Sequence, residues 1–545
     1  MAGQNDSGQL GSVQFSNLVW QLKLQTERQL GAKDSLRDLL GDPARLEQLL
    51  SEAEARGDAA LRKLASDIRA QQHASRIMVQ QPPRRPAVLM FAVLVAVVIL
   101  GLGWMFFGRN RSPAPVGEPV AAATAEAPIT LLFRMHGSNT IGEKLGPALA
   151  EAYLKLQGAT STQTTDMAAD EHRVSAVGAP GTARPAIEVY AHGSATAFQD
   201  LGAQTADLGM ASRRIKPEER DQLASQLGDL SSPSSENVIG LDGVAVVVNA
   251  ANPVQSLTID QVARIFSGTI TDWSQVGGSG GAIQVYARDD KSGTFDTFKA
   301  LVLDPSKLQL AAGAHRYESS SELSDAVAAD AGGIGFIGLP YVRRSKALGI
   351  AAADGSPAVV PTQFTVGTED YPLSRRLYLY LPAKAPKAAA DFVEFALSDA
   401  GQDVVKQIGF VSQNIYAEQI PDSADWPESY RSLVAGAQRL SVNFRFDSGG
   451  ENLDSKAQRD LQRLVSFIGK NPGRAIMLAG FTDNVGKPEV NMALSHQRAD
   501  AIAAALRARG IDVLDVRGLG SANPVSSNDS DAGRVRNRRV EVWIK

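Results

Sequence analysis

The rhythm of apolar and polar positions changes several times along the chain, and each change marks a different kind of element. Between residues 1 and 80 apolar residues recur at helical spacing: Leu46, Leu49, Leu50 and Ala53, then Leu61, Leu64 and Ile68. Gly41, Asp42 and Pro43 separate two such segments, with Asp42 as N-cap and Pro43 in the first helical position. From Ala87 to Phe107 the alternation stops and no charge appears. As a helix this run would be ~32 Å long at ~1.5 Å per residue, enough to cross a hydrocarbon core of ~30 Å. It lies too far into the chain for a signal peptide, and Trp104 stands near one end, where interfacial aromatics sit. The expectation is a small helical region, 1–86, then a transmembrane helix, 87–107. Residues 108–128, rich in Ala, Pro and Gly, read as a linker.

From 129 to 418 short strand patterns alternate with helical ones. Strands are expected at Ile129–Met135, Ile187–Ala191, Val244–Asn249, Ile283–Ala287 and Gly333–Ile337, and helices at Lys144–Leu156, Ile259–Phe266, Phe295–Leu303 and Ala388–Leu397. Such alternation predicts an α/β domain with largely parallel sheets. Gly158 to Ala183, polar and rich in Gly, Pro and Thr, reads as a surface excursion. Residues 419–437 read as a second linker. Residues 438–545 read as an α+β domain with helices against one face of a small sheet: a strand at Leu440–Phe446, helices at Ser455–Ile468 and about Val490–Arg509, and further strands at Ala475–Leu478, near Val516 and at Arg539–Ile544.

Composition narrows the options. At 545 residues the chain exceeds one core. Its net charge of −4 gives nucleic acid no reason to bind. Without cysteine there are no disulfides, thiolate metal sites or cysteine nucleophiles. No cofactor and no metal are expected.

The α/β region repeats one local chemistry. Three strand ends lead into helices through His136-Gly137-Ser138-Asn139-Thr140, His192-Gly193-Ser194-Ala195-Thr196 and Arg288-Asp289-Asp290-Lys291-Ser292-Gly293-Thr294. Glycine lets the backbone turn, free N–H groups at a helix start attract an anion, and hydroxyls and a guanidinium add donors. These turns, with Ala206 to Arg213, Leu241 to Asn249, Ile259 to Trp273, Gly332 to Tyr341 and Phe395 to Val411, resemble the substrate-binding protein of the phosphate ABC transporter. The resemblance covers most of 129–418 and implies a two-lobed periplasmic binding fold that closes on its ligand by a hinge. It assigns anion contacts to Ser138, Thr140, Ser194, Arg288, Ser292, Gly293 and Thr294, with Asp290 placed to accept the proton that phosphate retains. Arg213 departs from the pattern, because some members carry aspartate there.

In the C-terminal region Phe481-Thr482-Asp483-Asn484, Asn491, Ser495, Arg498 and Asn537-Arg538-Arg539-Val540-Glu541 closely resemble the OmpA-like peptidoglycan-binding domain. Asn491, Ser495 and Arg498 share one helical stripe, beside an apolar stripe of Leu494, Ile502, Ala505 and Leu506. The resemblance implies that Asp483 accepts the ammonium of diaminopimelate in a wall stem peptide, that Arg498 holds its carboxylate, and that Asn491 assists. The residues alone also permit an internal Asp483–Arg498 ion pair. Arg538 and Arg539 are expected to stabilise the domain or skirt the glycan rather than contact the peptide.

Both resemblances belong outside the inner membrane, so residues 1–86 are expected in the cytoplasm and 108–545 in the periplasm. The basic residues flanking the span, Arg84 and Arg85 against Arg109 and Arg111, nearly balance. The chain then binds a small oxyanion, most simply phosphate, and holds peptidoglycan from an inner-membrane anchor. A structural tether or sensor with a degenerate pocket is the rival. Hydrolysis is not expected: His136 and His192 stand near pocket serines, but no carboxylate is evident to orient them.

Overall fold

The computed structural model describes residues 43–58, 61–66, 68–69, 128–177, 183–290, 292–446 and 453–545, with helical positions 22 and 26. The expected span and nearly all of the linker after it lie outside them. Among the described residues no helix is long and apolar enough to cross a membrane. The chain divides into two compact units, one formed by residues 1–127 and 179–182, the other by the rest.

In the first unit a helix runs Pro43–Arg56. Leu46, Leu49, Leu50, Ala53, Leu61, Leu64 and Ile68 are all buried, as their spacing requires. Arg69 bridges Glu47 and Glu54 at 2.5 and 3.0 Å, and Asp58 caps Leu61 N–H at 2.8 Å.

The second unit holds an eleven-stranded sheet whose main path runs Ser161–Ala168, Glu171–Val177, Arg184–Tyr190, Ile129–Gly137, Leu208–Ala211, Ser374–Tyr380, Glu236–Val248, Gly333–Gly338, Gln284–Arg288 and His315–Tyr317. The sheet is mixed rather than largely parallel. Ser374–Tyr380 runs antiparallel to both its neighbours, and Gly333–Gly338 antiparallel to Glu236–Val248. Glu236–Val248 is the joint between two lobes. Its first half pairs with Ser374–Tyr380 on the first lobe and its second half with Gly333–Gly338 on the second. The sequence suggested a strand only from Val244; Gly240 and Gly243 lie in the part before it. Their purpose is packing. A Cβ on Gly243 would stand 2.6 Å from Val366 Cγ2, and one on Gly240 2.9 Å from Val405 Cγ1.

The polar run after Gly158 is a hairpin, Ser161–Ala168 against Glu171–Val177, extending the sheet edge. Asp170 closes its turn at φ 62°, a left-handed conformation that Asp tolerates. Helices Leu145–Leu156 and Lys387–Leu397 begin within a residue of expectation, and Ile259–Phe266 matches it, capped by Thr258.

The C-terminal sheet is ordered Ala417–Glu418, Gln438–Arg445, Arg539–Ile544, Ile476–Gly480, Val513–Gly518. Helices Ser455–Lys470 and Pro488–Arg507 pack on one side around Leu461, Leu464, Ile502 and Leu506. The other face is covered too, by a helix in the segment expected as linker. Glu428–Val434 sets Tyr430, Leu433 and Val434 against Phe481 and Trp543.

The α/β region and the C-terminal domain share a charged, buried seam. Arg376 on strand Ser374–Tyr380 binds Glu369 at 2.5 Å and Asp454, the N-cap of Ser455–Lys470, at 2.7 Å. Arg445 binds Glu369 and Asp370, Arg439 and Asn443 bind Asp370, and Ser455 bonds Glu236. The C-terminal domain is therefore seated on the joining strand Glu236–Val248 and its neighbour Ser374–Tyr380.

Candidate functional site

A cavity of ≈370 Å³ lies between the lobes. Thr140, Glu143 and Lys144 line it from one lobe, Arg288, Ser292, Gly293 and Thr294 from the other, and Asp242 from the joining strand. Strand Ile129–Gly137 delivers Thr140, and strand Gln284–Arg288 delivers Arg288 at its last position. Ser292 caps the helix Gly293–Phe298, accepting from Thr294 N–H and Phe295 N–H at 3.2 and 3.4 Å. The two turns touch. Thr140 Oγ1 donates to Gly293 O at 3.3 Å, and a Cβ on Gly293 would lie 2.7 Å from Thr140 Cα. Glycine is required there by contact, not by φ.

Arg288 is 9 % exposed, and its Nη1 donates to Ser320 Oγ at 2.5 Å. This brings in a turn that sequence reading missed. Glu318 and Ser319 to Ser321 also line the cavity, and Ser319 caps helix Ser320–Ala329 by accepting from Glu322 N–H at 3.2 Å. The signal was present as Ser319-x-x-Glu322, a helix-start pattern ahead of apolar Leu323.

The second expected turn lies beside the first but off the cavity wall. Gly193 N–H donates to Gly137 O at 2.8 Å and Ser138 N–H to Met210 O at 2.8 Å. Ser138 is buried at the start of Asn139–Gly142, and Ser194 spends its hydroxyl on Ser212, accepting from Ser212 N–H at 3.0 Å with Oγ–Oγ 3.1 Å. Neither lines the cavity. Asp290 is also displaced: its side chain is 81 % exposed and bound to Arg316 at 2.6 Å. Asp242 stands on the wall instead, accepting from Thr297 Oγ1 at 2.8 Å. Arg213 turns away to a two-pronged pair with Glu219 at 2.6 and 2.8 Å.

Both histidines do have carboxylate partners, which sequence reading did not find. His136 Nδ1 lies 2.9 Å from Asp200 and His192 Nε2 3.0 Å from Glu171. His136 Nε2 is buried with no hydrogen-bond partner. Ser194 is committed to Ser212 rather than to His192.

In the C-terminal domain Asp483, Asn491 and Arg498 are all buried, at 9, 5 and 1 % exposure. The polar stripe of Pro488–Arg507 is thus continuous with the apolar one: Ser495, Ala499, Ile502, Ala503 and Leu506 are buried with it, while Leu494 is only half-buried. The helix can sit so close because Gly480 and Gly518 face it; a Cβ on Gly480 would lie 2.1 Å from Ser495 O. Asp483 is held by Arg538 at 2.7 Å and accepts from Val485 N–H at 3.1 Å, and Asn491 Nδ2 donates to Asp483 O at 3.3 Å. The Arg498 guanidinium stands 5.2 Å from the Phe446 ring centroid. Arg539, expected as a stabiliser, binds Glu541 at 2.8 Å and covers the Phe481 ring. Arg538, expected beside it, reaches the site itself.

Residues 125–400 match the family described as PBP superfamily domain, and residues 445–538 the OmpA family. The chain is 31 % identical over 243 residues to the phosphate-binding protein PstS of Pseudomonas aeruginosa, across 41 % of this chain and 73 % of that one. Its C-terminal part is 39 % identical over 104 residues to the Escherichia coli protein named "Probable lipoprotein YiaD", across 19 % of this chain and 48 % of that one, about half its length. A crystal structure of an ABC-type phosphate transport receptor from Vibrio cholerae aligns at 25 % identity and TM-score 0.39, covering 51 % of this chain and 99 % of that one. The two family matches fall on the two-lobed α/β region with its cavity and on the small α+β domain that follows: this protein belongs to the PBP superfamily and carries an OmpA family domain at its C-terminal end.

Proposed function

We propose that the cleft binds a small tetrahedral oxyanion, phosphate first among them, and that the C-terminal domain holds the stem peptide of peptidoglycan. The observation that carries the first half is the convergence on one cavity of Arg288, Thr140, Ser292 and the start of helix Gly293–Phe298. A guanidinium and hydroxyls are donors that an oxyanion needs. Arg288 is pre-aimed by Ser320, so little ordering remains to be done on binding. Isothermal titration of the full chain with phosphate and with sulfate tests this. Phosphate should bind, and Arg288→Gln should weaken it by at least ~30-fold, as loss of a charge-assisted bond predicts. No heat from either anion would leave the cleft a spacer and favour the tether.

The apolar run 87–107 supports an inner-membrane anchor, with the anion cleft and wall site on the periplasmic side. A protein so anchored, and also gripping the wall, is stationary. It suits sensing or local capture of the anion better than shuttling. Protease added to spheroplasts should digest the region after 107 and spare residues 1–86; the reverse pattern would invert the topology.

A further inference from the structure

Thr140 and Gly293, on opposite walls of the cleft, are held by one side chain that is not itself on the wall. Arg375 lies on strand Ser374–Tyr380, which pairs with the joining strand Glu236–Val248. Its Nη2 donates to Thr140 Oγ1 at 2.5 Å and to Gly293 O at 3.0 Å, and its Nε faces Asp242 Oδ2 at 3.4 Å. The side chain is 10 % exposed. Arg376, next along the strand, points to the opposite face and into the seam with the C-terminal domain, as strand alternation dictates.

The Thr140 hydroxyl owns one hydrogen, and that hydrogen now reaches Gly293 O across 3.3 Å. Arg375 supplies the same carbonyl with a shorter bond, at 3.0 Å, and Thr297 Oγ1 stands 2.8 Å from it. The carbonyl stays satisfied if the hydroxyl turns toward an acceptor in the cavity. Arg375 also donates to the hydroxyl oxygen. A charged donor on that oxygen polarises the O–H and makes it a stronger donor in turn. Removing the guanidinium would take a charged donor from both Thr140 Oγ1 and Gly293 O and loosen the contact between the two turns.

Resting on the anion reading of the cleft, we propose that Arg375 is a positioning residue for the bound anion, holding the two turns together and releasing the Thr140 hydroxyl to donate. It acts through Thr140 and not by touching the anion. Phosphate titration of the full chain, with Arg375→Gln, Arg375→Lys, Thr140→Val and the double variant Arg375→Gln/Thr140→Val, separates this from a general structural role. Arg375→Gln and Thr140→Val should each weaken phosphate about tenfold, and Arg375→Lys, which keeps a charged donor, should recover most of that. The double variant should be no more than about threefold weaker than the worse single one, because both remove the same donor. Losses that multiply in the double variant, or Arg375→Gln binding like the parent, would overturn the proposal. Should Arg375→Gln fail to give the parent near-ultraviolet circular dichroism, Arg375→Met takes its place in the cycle with Thr140→Val and should show the same non-additivity; losses that multiply there too would overturn the proposal. A parent protein that binds no phosphate overturns the anion reading itself, and this inference with it. That result differs from a parent that binds and an Arg375→Gln that binds equally well.

Discussion

Arg376→Met should destabilise the joint between the α/β region and the C-terminal domain by about 3–5 kcal/mol, the usual cost of breaking a buried ion pair by removing one partner. Glu369 and Asp454 would lose their shared guanidinium while remaining buried, with side chains 13 and 11 % exposed. Burial alone would push both carboxyls up, but it is outweighed at Glu369 by Arg376, Lys456 and Arg445, and at Asp454 by Arg376 and the Ala457 N–H bond, so both are held below the usual carboxylate range. The sign follows. A carboxyl with a lowered folded pKa contributes stability above its unfolded pKa, about 4, and loses it as pH falls through the folded value. Stability of the parent should therefore decline from about pH 4 downward, because the unfolded chain binds the more protons there. In Arg376→Met the decline should be shallower and the neutral-pH stability already reduced. Urea unfolding followed by tryptophan fluorescence measures both, since Trp426 and Trp543 sit in the C-terminal part. A cooperative parent transition that splits in the variant would mark the seam as the source of cooperativity. An unchanged midpoint and unchanged acid limb would mean the seam contributes nothing net.

What the sequence made legible here was local. Leu46 to Ile68, Ile259–Phe266 and Arg539–Ile544 each announce themselves by spacing, and the structure keeps them. The turns at Thr140 and at Ser292 to Thr294 were readable because glycine, hydroxyl and helix start fall together. What could not be read was where side chains from distant segments meet. Asp290 falls within an expected anion turn and Asp242 in none of the three, yet of the two it is Asp242 that lines the cavity. Asp290 is claimed by Arg316, which stands 26 residues away. Arg375 escaped notice because its partners lie 235 and 82 residues off. Nothing in the run Ser374-Arg375-Arg376 separates the arginine that braces the cleft from the one that grips the C-terminal domain. The hairpin after Gly158 failed for the opposite reason: a polar edge strand has little apolar alternation to display.

Asp483→Ala and Arg498→Ala should each abolish co-sedimentation with purified cell wall. Truncating one member of a buried charge pairing costs about 2–5 kcal/mol, which is roughly 30-fold to several thousandfold in affinity. The structure sharpens the expectation for the two residues. Asp483 already carries Arg538 at 2.7 Å, so an incoming ammonium has to share the carboxylate with it. The oxygen bound to Val485 N–H is the other one, Oδ1, so both carboxylate oxygens are oriented before a ligand arrives. Asp483→Asn should keep the shape and lose the charge, and should therefore bind almost as poorly as Asp483→Ala. Arg538→Gln would leave Asp483 without its internal cation. If Arg538 only restrains the loop, wall binding should fall by a few-fold; if it competes with the ammonium, binding should hold or rise. Arg498, 1 % exposed, sits beneath the Phe446 ring. Arg498→Lys cannot reproduce the planar two-pronged grip on a carboxylate and should lose most of the binding despite keeping the charge. Each variant needs the parent's melting temperature to within a few degrees before its pellet is read. Should Asp483→Ala and Arg498→Ala both fold and both still pellet with the wall, neither residue holds the peptide, and the buried trio of Asp483, Asn491 and Arg498 is only the internal brace of the domain.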